Sequence, residues 1–487
     1  MKTVNLAKNT TFFTGALTLQ KVLSFVYFLF ISNTLLAEQL GQYVFALSFT
    51  TMFSIFVDLG LSPVLTREAS KDHQQANLYL KNVLSLKIPL SIITILAAWI
   101  VIYFSGKPAN VQLLVFLASF IMLLDSFSLS FWVIFRSMQN MLYESVATIL
   151  VQIIIFILGL TALKLSGEVK YLIMALVVAS LFNFCLSFCL LKFKLKFSLL
   201  PQFDKKIINS FLKILPAFAI AGFFIKVYNT SDSVLLSYLD SDRAVGLYAV
   251  PAKIIYSFQQ VIPAAFSAVI FPAFSYYYAN SKKMLELTFE RAFMYLSIIS
   301  WPIAIGIFVL IPQIISRIWP AYSTVIPCFY VMVLALPFIF LAFPTGYLLN
   351  SCDRQNQTTI NRGIITVLAV ILNIILIPKL SFYGAGITFF ITNFILLFMD
   401  FYWVRQVIGL NYLTLFKVSA KSIVAALVMA AAIILIRPYF GLFVEVPFGG
   451  AVYFICLFIL RGLNFNELFK ILKKEPVNIE EIKPEKL

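Results

Sequence analysis

The sequence predicts an all-α polytopic membrane protein of about fourteen transmembrane helices, built as two parallel six-helix lobes plus two C-terminal helices. Three observations predict it. Of 487 residues, 61% are hydrophobic and 12% charged, against roughly 25% charged in an ordinary soluble domain, so a water-soluble globule is excluded. A span takes about 20 mostly apolar residues, so fourteen use much of the apolar content available. The apolar runs are long and continuous, unlike the roughly ten-residue alternation of an outer-membrane barrel.

Apolar windows bounded by charges or turn residues place the spans at 11–36, 41–64, 83–104, 111–135, 144–163, 171–191, 211–236, 244–272, 289–312, 323–349, 363–378, 383–404, 418–436 and 442–460. The first follows Lys2 and Lys8 as a signal-peptide core would. It is too long for one, contains Lys21 and lacks a small-residue cleavage site, so a retained span is expected. The longest gap, Lys192–Ser210, carries five lysines and Pro201 and divides the chain into a lobe at 1–200 and a lobe at 201–410. Residues 411–461 hold helices thirteen and fourteen. Residues 462–487 are expected to begin as an amphipathic surface segment and end as a disordered cytoplasmic tail. Eleven of the nineteen prolines fall between Pro201 and Pro344, so helices seven to ten are expected to bend.

With the N-terminus placed inside, alternate loops and tails collect most of the Lys and Arg. This predicts a cytoplasmic-membrane protein with both termini cytoplasmic. The net charge of +16 therefore lies along one membrane face, where anionic lipid rather than nucleic acid is the expected neighbour. The single His73 and the five cysteines form neither C-x-x-C spacing nor a zinc pattern. No phosphate-binding G-x-x-x-x-G-K-[ST] loop is present, and no nucleophile, base and orienting group stand together in the sequence. No enzymatic turnover, metal or resident cofactor is expected.

A weak repeat appears at an offset of 205 residues: Gly41-Gln42-Tyr43 matches Gly246-Leu247-Tyr248, and Lys21 matches Lys226. Six helices separate the copies, so both run the same way through the bilayer and would enclose a central cavity. A charge at the bilayer centre costs at least about 2.5 kcal/mol unless it snorkels or faces water. Lys87 lies about 9 Å from Lys81 along its helix and, like Lys213, is expected to snorkel. Lys21 and Lys253 lie about 15 Å deep. Lys226 has Asn229 and Asp232 beyond it on the same helix, and Asp232 and Asn229 are expected to orient it. Lys21, Lys226 and Lys253 are thus candidate cavity cations, with Gln259 and Gln260 as candidate hydroxyl-binding groups. Asp58 and Asp125, in the inner half of the first lobe, are candidate carboxylates for a coupling proton or sodium ion, or partners of a neighbouring helix. The buried lysines outnumber these aspartates, which favours an anionic substrate.

The stretch Leu40-Gly41-Gln42-Tyr43-Val44-Phe45-Ala46, then Asp58-Leu59-Gly60-Leu61 and Thr66-Arg67-Glu68-Ala69-Ser70, resembles the second-helix signature of the polysaccharide-transporter family. These are the O-antigen and capsule flippases of the multidrug/oligosaccharidyl-lipid/polysaccharide exporter superfamily. The resemblance covers essentially the whole chain. It implies alternating access between two lobes and translocation of a polyprenyl-diphosphate-linked oligosaccharide, with undecaprenyl or dolichyl as carrier, alongside glycan polymerase or assembly proteins. A lipid II flippase, a multidrug or cation antiporter of the same superfamily, and a membrane scaffold of a glycan-assembly complex are the alternatives. A cation antiporter would favour acidic cavity residues, and a scaffold has no reason to keep midplane lysines.

Overall fold

The computed structural model describes residues 6–462, and the surface segment and tail expected beyond them lie outside the described residues. Thirteen of the described helices are long and apolar enough to cross a membrane. The first seven elements are α1 (Leu6–Thr34), α2 (Ala37–Asp58), α3 (Leu61–Lys71), α4 (Ala76–Phe104), α5 (Ala109–Ser137), α6 (Leu142–Leu165) and α7 (Val169–Cys189). After the Lys-rich linker come α8 (Lys205–Leu239), α9 (Asp242–Asn280), α10 (Lys282–Ile318), α11 (Ile326–Val333), α12 (Leu336–Ser351), α13 (Gln355–Leu380) and α14 (Phe382–Val407). A last hairpin is α15 (Tyr412–Ile436) and α16 (Leu442–Ile459). The expected eighth span is the 39-residue α9, and α11 and α12 together make the tenth, within Pro320–Ser351.

The predicted second span, 41–64, runs through a break. Leu59 and Gly60 both adopt left-handed backbone, φ 44° and 82°, which ends α2 and starts α3 as a separate eleven-residue helix. Gly60 is required there twice over: its φ suits glycine, and a Cβ would stand 2.8 Å from the Cβ of Phe218 on α8. Apolarity alone reads straight through such a corner because Leu59, Leu61, Val64 and Leu65 stay apolar and packed on both sides of it.

Helix pairing repeats between the halves. In the first, α1 packs on α6, α2 on α5, and α7 on both α5 and α6. In the second, α8 packs on α13, α9 on α12, and α14 on both α12 and α13. These are two parallel six-helix lobes, and α15 with α16 packs on α10 outside the second. The lobes meet most closely where α2 crosses α9. A Cβ on Gly41 would fall 1.6 Å from the carbonyl oxygen of Asp242, and one on Gly246 would fall 1.8 Å from that of Ala37. The contact is reciprocal at the same 205-residue offset, so the G-x-Y repeat marks a backbone-to-backbone crossing, as small residues do in membrane bundles.

Candidate functional site

Three helices, α1, α8 and α9, carry the expected cavity lysines, and the structure sorts them into two seams. On the first seam, Lys253 of α9 donates from Nζ to Ser24 Oγ of α1 at 3.1 Å and lies 5.6 Å from the Phe28 ring centroid. Ser24 is one turn from Lys21 on α1, and the charge of Lys21 is felt at Lys253. Among the described residues neither Lys21 nor Lys253 forms an ion pair with a carboxylate. The α1–α9 seam therefore holds two like charges, one from each lobe.

The second seam is mixed. Lys226 of α8 feels the charges of Asp58 of α2 and Asp125 of α5, both in the opposite lobe, and among the described residues it forms an ion pair with neither. Asp125 and Asn229 are exposed. Lys21, Lys226, Lys253 and Gln259 are partly exposed, and Gln260 is exposed.

Lys87 does not snorkel. It is 0% exposed, and Nζ donates to Asp58 Oδ1 at 2.8 Å, the Ser126 carbonyl at 2.6 Å and Ser130 Oγ at 2.7 Å. Depth along the helix was a sound measure, but snorkelling also requires the stem to point outward, and this one points into the α2–α5 contact. Ser62, just past the break after α2, adds its hydroxyl to Asp58 Oδ1 at 2.5 Å and its amide to Oδ2 at 3.2 Å. Lys213 is exposed.

Asp232 does not pair with Lys226. Six helical residues turn a side chain about 240° and carry it about 9 Å along the axis, so the two point apart. The carboxylate, 8% exposed, accepts instead from the Tyr248 hydroxyl of α9 and the Asn373 amide of α13, both at 2.7 Å. Among the described residues the buried Asn373 Oδ1 and Thr388 Oγ1 have no hydrogen-bond partner. They leave spare oxygen acceptors in the core of the second lobe, the donor chemistry that a small hard cation uses.

Three buried acids escaped the sequence reading. Glu144 accepts from Arg136 Nε at 2.7 Å, Asp400 accepts from Asn361 Nδ2 at 2.8 Å and Thr345 Oγ1 at 3.4 Å, and fully buried Glu445 accepts from Gln313 Nε2 at 3.0 Å. All three lie inside predicted spans, so the criterion that selected Asp58 applied to them equally.

Helix order, span length and the repeated helix pairing define a multi-pass membrane protein of two parallel six-helix lobes. Residues 6–278 match the polysaccharide biosynthesis protein family, and the chain belongs to it. It is 25% identical over 419 residues to an uncharacterized membrane protein of Methanocaldococcus jannaschii, covering 78% of this chain and 79% of that one. The fold is similar to that of the lipid II flippase MurJ in an inward closed conformation, with TM-score 0.72, 16% identity, and 95% of this chain and 99% of that one covered. It is also similar to an inward-facing multidrug resistance MATE family transporter, with TM-score 0.66, 15% identity, and coverage of 80% and 94%.

Proposed function

We propose that this protein is a flippase that moves a polyprenyl-diphosphate-linked oligosaccharide, an O-antigen, capsule or exopolysaccharide repeat unit, from the cytoplasmic to the outer leaflet by alternating access. The observation that carries this reading is the α1–α9 seam, which Lys21 and Lys253 face from opposite lobes and where neither forms an ion pair with a carboxylate among the described residues. Two like charges on one seam repel unless an anion or water lies between them, and a diphosphate supplies the matching charge. Asn229, Gln259 and Gln260 offer amides to sugar hydroxyls. Asp58 and Asp125 beside Lys226, and the oxygen-rich surroundings of Asp232, are the places for a coupling proton or sodium ion.

The shared fold supports a lipid II flippase as the second reading. A cation antiporter is disfavoured, because a doubly cationic seam repels its substrate. Depleting the protein and identifying the accumulated glycolipid by mass spectrometry decides among them: a lipid-linked repeat unit is expected, and accumulated lipid II or no glycolipid at all would reject the first reading.

In this reading the basic loops lie in the cytoplasm. A cysteine placed at Lys205 is then expected to resist an impermeant thiol reagent added to intact cells, and strong labelling would invert the orientation.

A further inference from the structure

Lys107 sits in the short turn between α4 and α5, after Gly106 at φ 73°, and its side chain leaves the first lobe for the second. Its ammonium donates to Asp242 Oδ1 at 2.8 Å and to the Ser237 carbonyl at 2.6 Å. It also lies 5.0 Å and 5.4 Å from the ring centroids of Phe45 and Tyr238. Ser237 is in the last turn of α8, where carbonyls lack helical partners. Asp242 is in the first turn of α9, where the helix dipole favours an anion. The Ser237 hydroxyl donates to the same Asp242 oxygen. One ammonium from the first lobe thus closes two helix ends of the second. The pair is 12% and 10% exposed, so salt screens it little.

The other ties nearby also run between lobes. The backbones of α2 and α9 touch at Gly41 and Gly246, Phe45 meets Tyr238 edge-on at 5.6 Å, and the Trp319 indole donates to Ser32 Oγ at 2.7 Å. All lie at the end of the bundle opposite the Lys192–Ser210 linker, the outer end in the orientation proposed above.

We propose that Lys107 and Asp242 form a latch that holds the cavity closed to the outside, and that they must part whenever it opens outward. The inference rests on the transport reading only in requiring that the lobes separate. Its test reads access from outside without any substrate, so it stands or falls apart from the identity of the glycolipid.

The test uses the full chain freed of its five native cysteines, with Ser24→Cys on α1 as reporter, in intact cells treated with an impermeant maleimide. Labelling per molecule of membrane protein is expected to rise about fivefold or more in Lys107→Gln and in Asp242→Asn, the low end of ordinary conformational coupling. Lys107→Arg, which keeps the charge and the donors to Asp242 and Ser237, is expected to label near the parent rate. Unchanged labelling in the single variants would overturn the latch, as would Lys107→Arg labelling as fast as they do. If the contact served only to stabilise the turn, the amount of protein would fall while labelling per molecule stayed constant, and that result also rejects the proposal. Should Lys107→Gln yield no protein, the nearly isosteric Asp242→Asn decides alone.

Discussion

Lys253→Ala is expected to lower glycan export by about 10- to 100-fold, the loss of one hydrogen bond to a charged group, while the protein still inserts at the parent level. The side chain reaches across the lobe boundary to α1, so two roles compete: a cation for the substrate, or a tie to Ser24. Ser24→Ala separates them, because it removes the 3.1 Å contact and leaves the charge. If charge is what matters, Ser24→Ala exports nearly normally and Lys253→Arg retains much of the activity, although a planar fork replaces a point charge. If the tie is what matters, Ser24→Ala reproduces the loss. Lys21→Ala is expected to behave like Lys253→Ala, since both ammonium groups stand on one seam. Lys226→Ala is expected to differ: it takes from Asp125 the cation that faces it from α8, while Asp58 keeps Lys87, and so adds the repulsion of one carboxylate against an anionic substrate to the loss of a ligand. Full export with Lys21, Lys226 and Lys253 all neutralised would sink the cationic-cavity mechanism. Protein level and exported glycan measured together give the answer.

What was legible in the sequence follows from what a linear pattern encodes. Burying a span needs a run of apolar residues, so the spans could be read, and the G-x-Y repeat predicted two lobes running the same way; that its glycines make the crossing of α2 and α9 shows only in the structure. Corners and directions were not legible. The break at Leu59-Gly60 is set by two backbone dihedrals and by Phe218 of α8, more than 150 residues away in the chain. Lys87 has the same depth whether its stem points to lipid or to Asp58, and only the packing of α4 against α2 and α5 settles it. Asp232 sits at helical spacing from Asn229 but not from Lys226, a register the sequence itself contains. Lys107 reads as an ordinary loop lysine until α8 and α9 are seen to end beside it.

The buried pair gives the largest expected effect on stability. Asp58→Asn is expected to destabilise the folded protein by about 3–5 kcal/mol, the usual cost of removing one partner of a buried ion pair, and Lys87→Met by somewhat less. The order follows from burial: the Lys87 side chain is 0% exposed and that of Asp58 18%, so the ammonium left behind has less access to water than the carboxylate would. Asn in place of Asp58 still offers an oxygen to Lys87 but no charge. The Ser126 carbonyl and Ser130 hydroxyl satisfy hydrogen atoms without neutralising the ammonium. Removing both charges together, Lys87→Met with Asp58→Asn, is expected to recover much of the loss, because a well-packed neutral pair escapes the desolvation penalty. The coupling between the two changes then measures the pair directly. Thermal unfolding of the detergent-solubilised protein, followed by the fraction remaining monodisperse, reads all three variants. Parent-like melting of both single variants would restore the snorkelling lysine. Export by the doubly neutral variant carries the second half of the answer: a protein that folds but no longer transports would assign Asp58 to the transport cycle, whereas one that does both would leave the pair a structural cross-link of the first lobe.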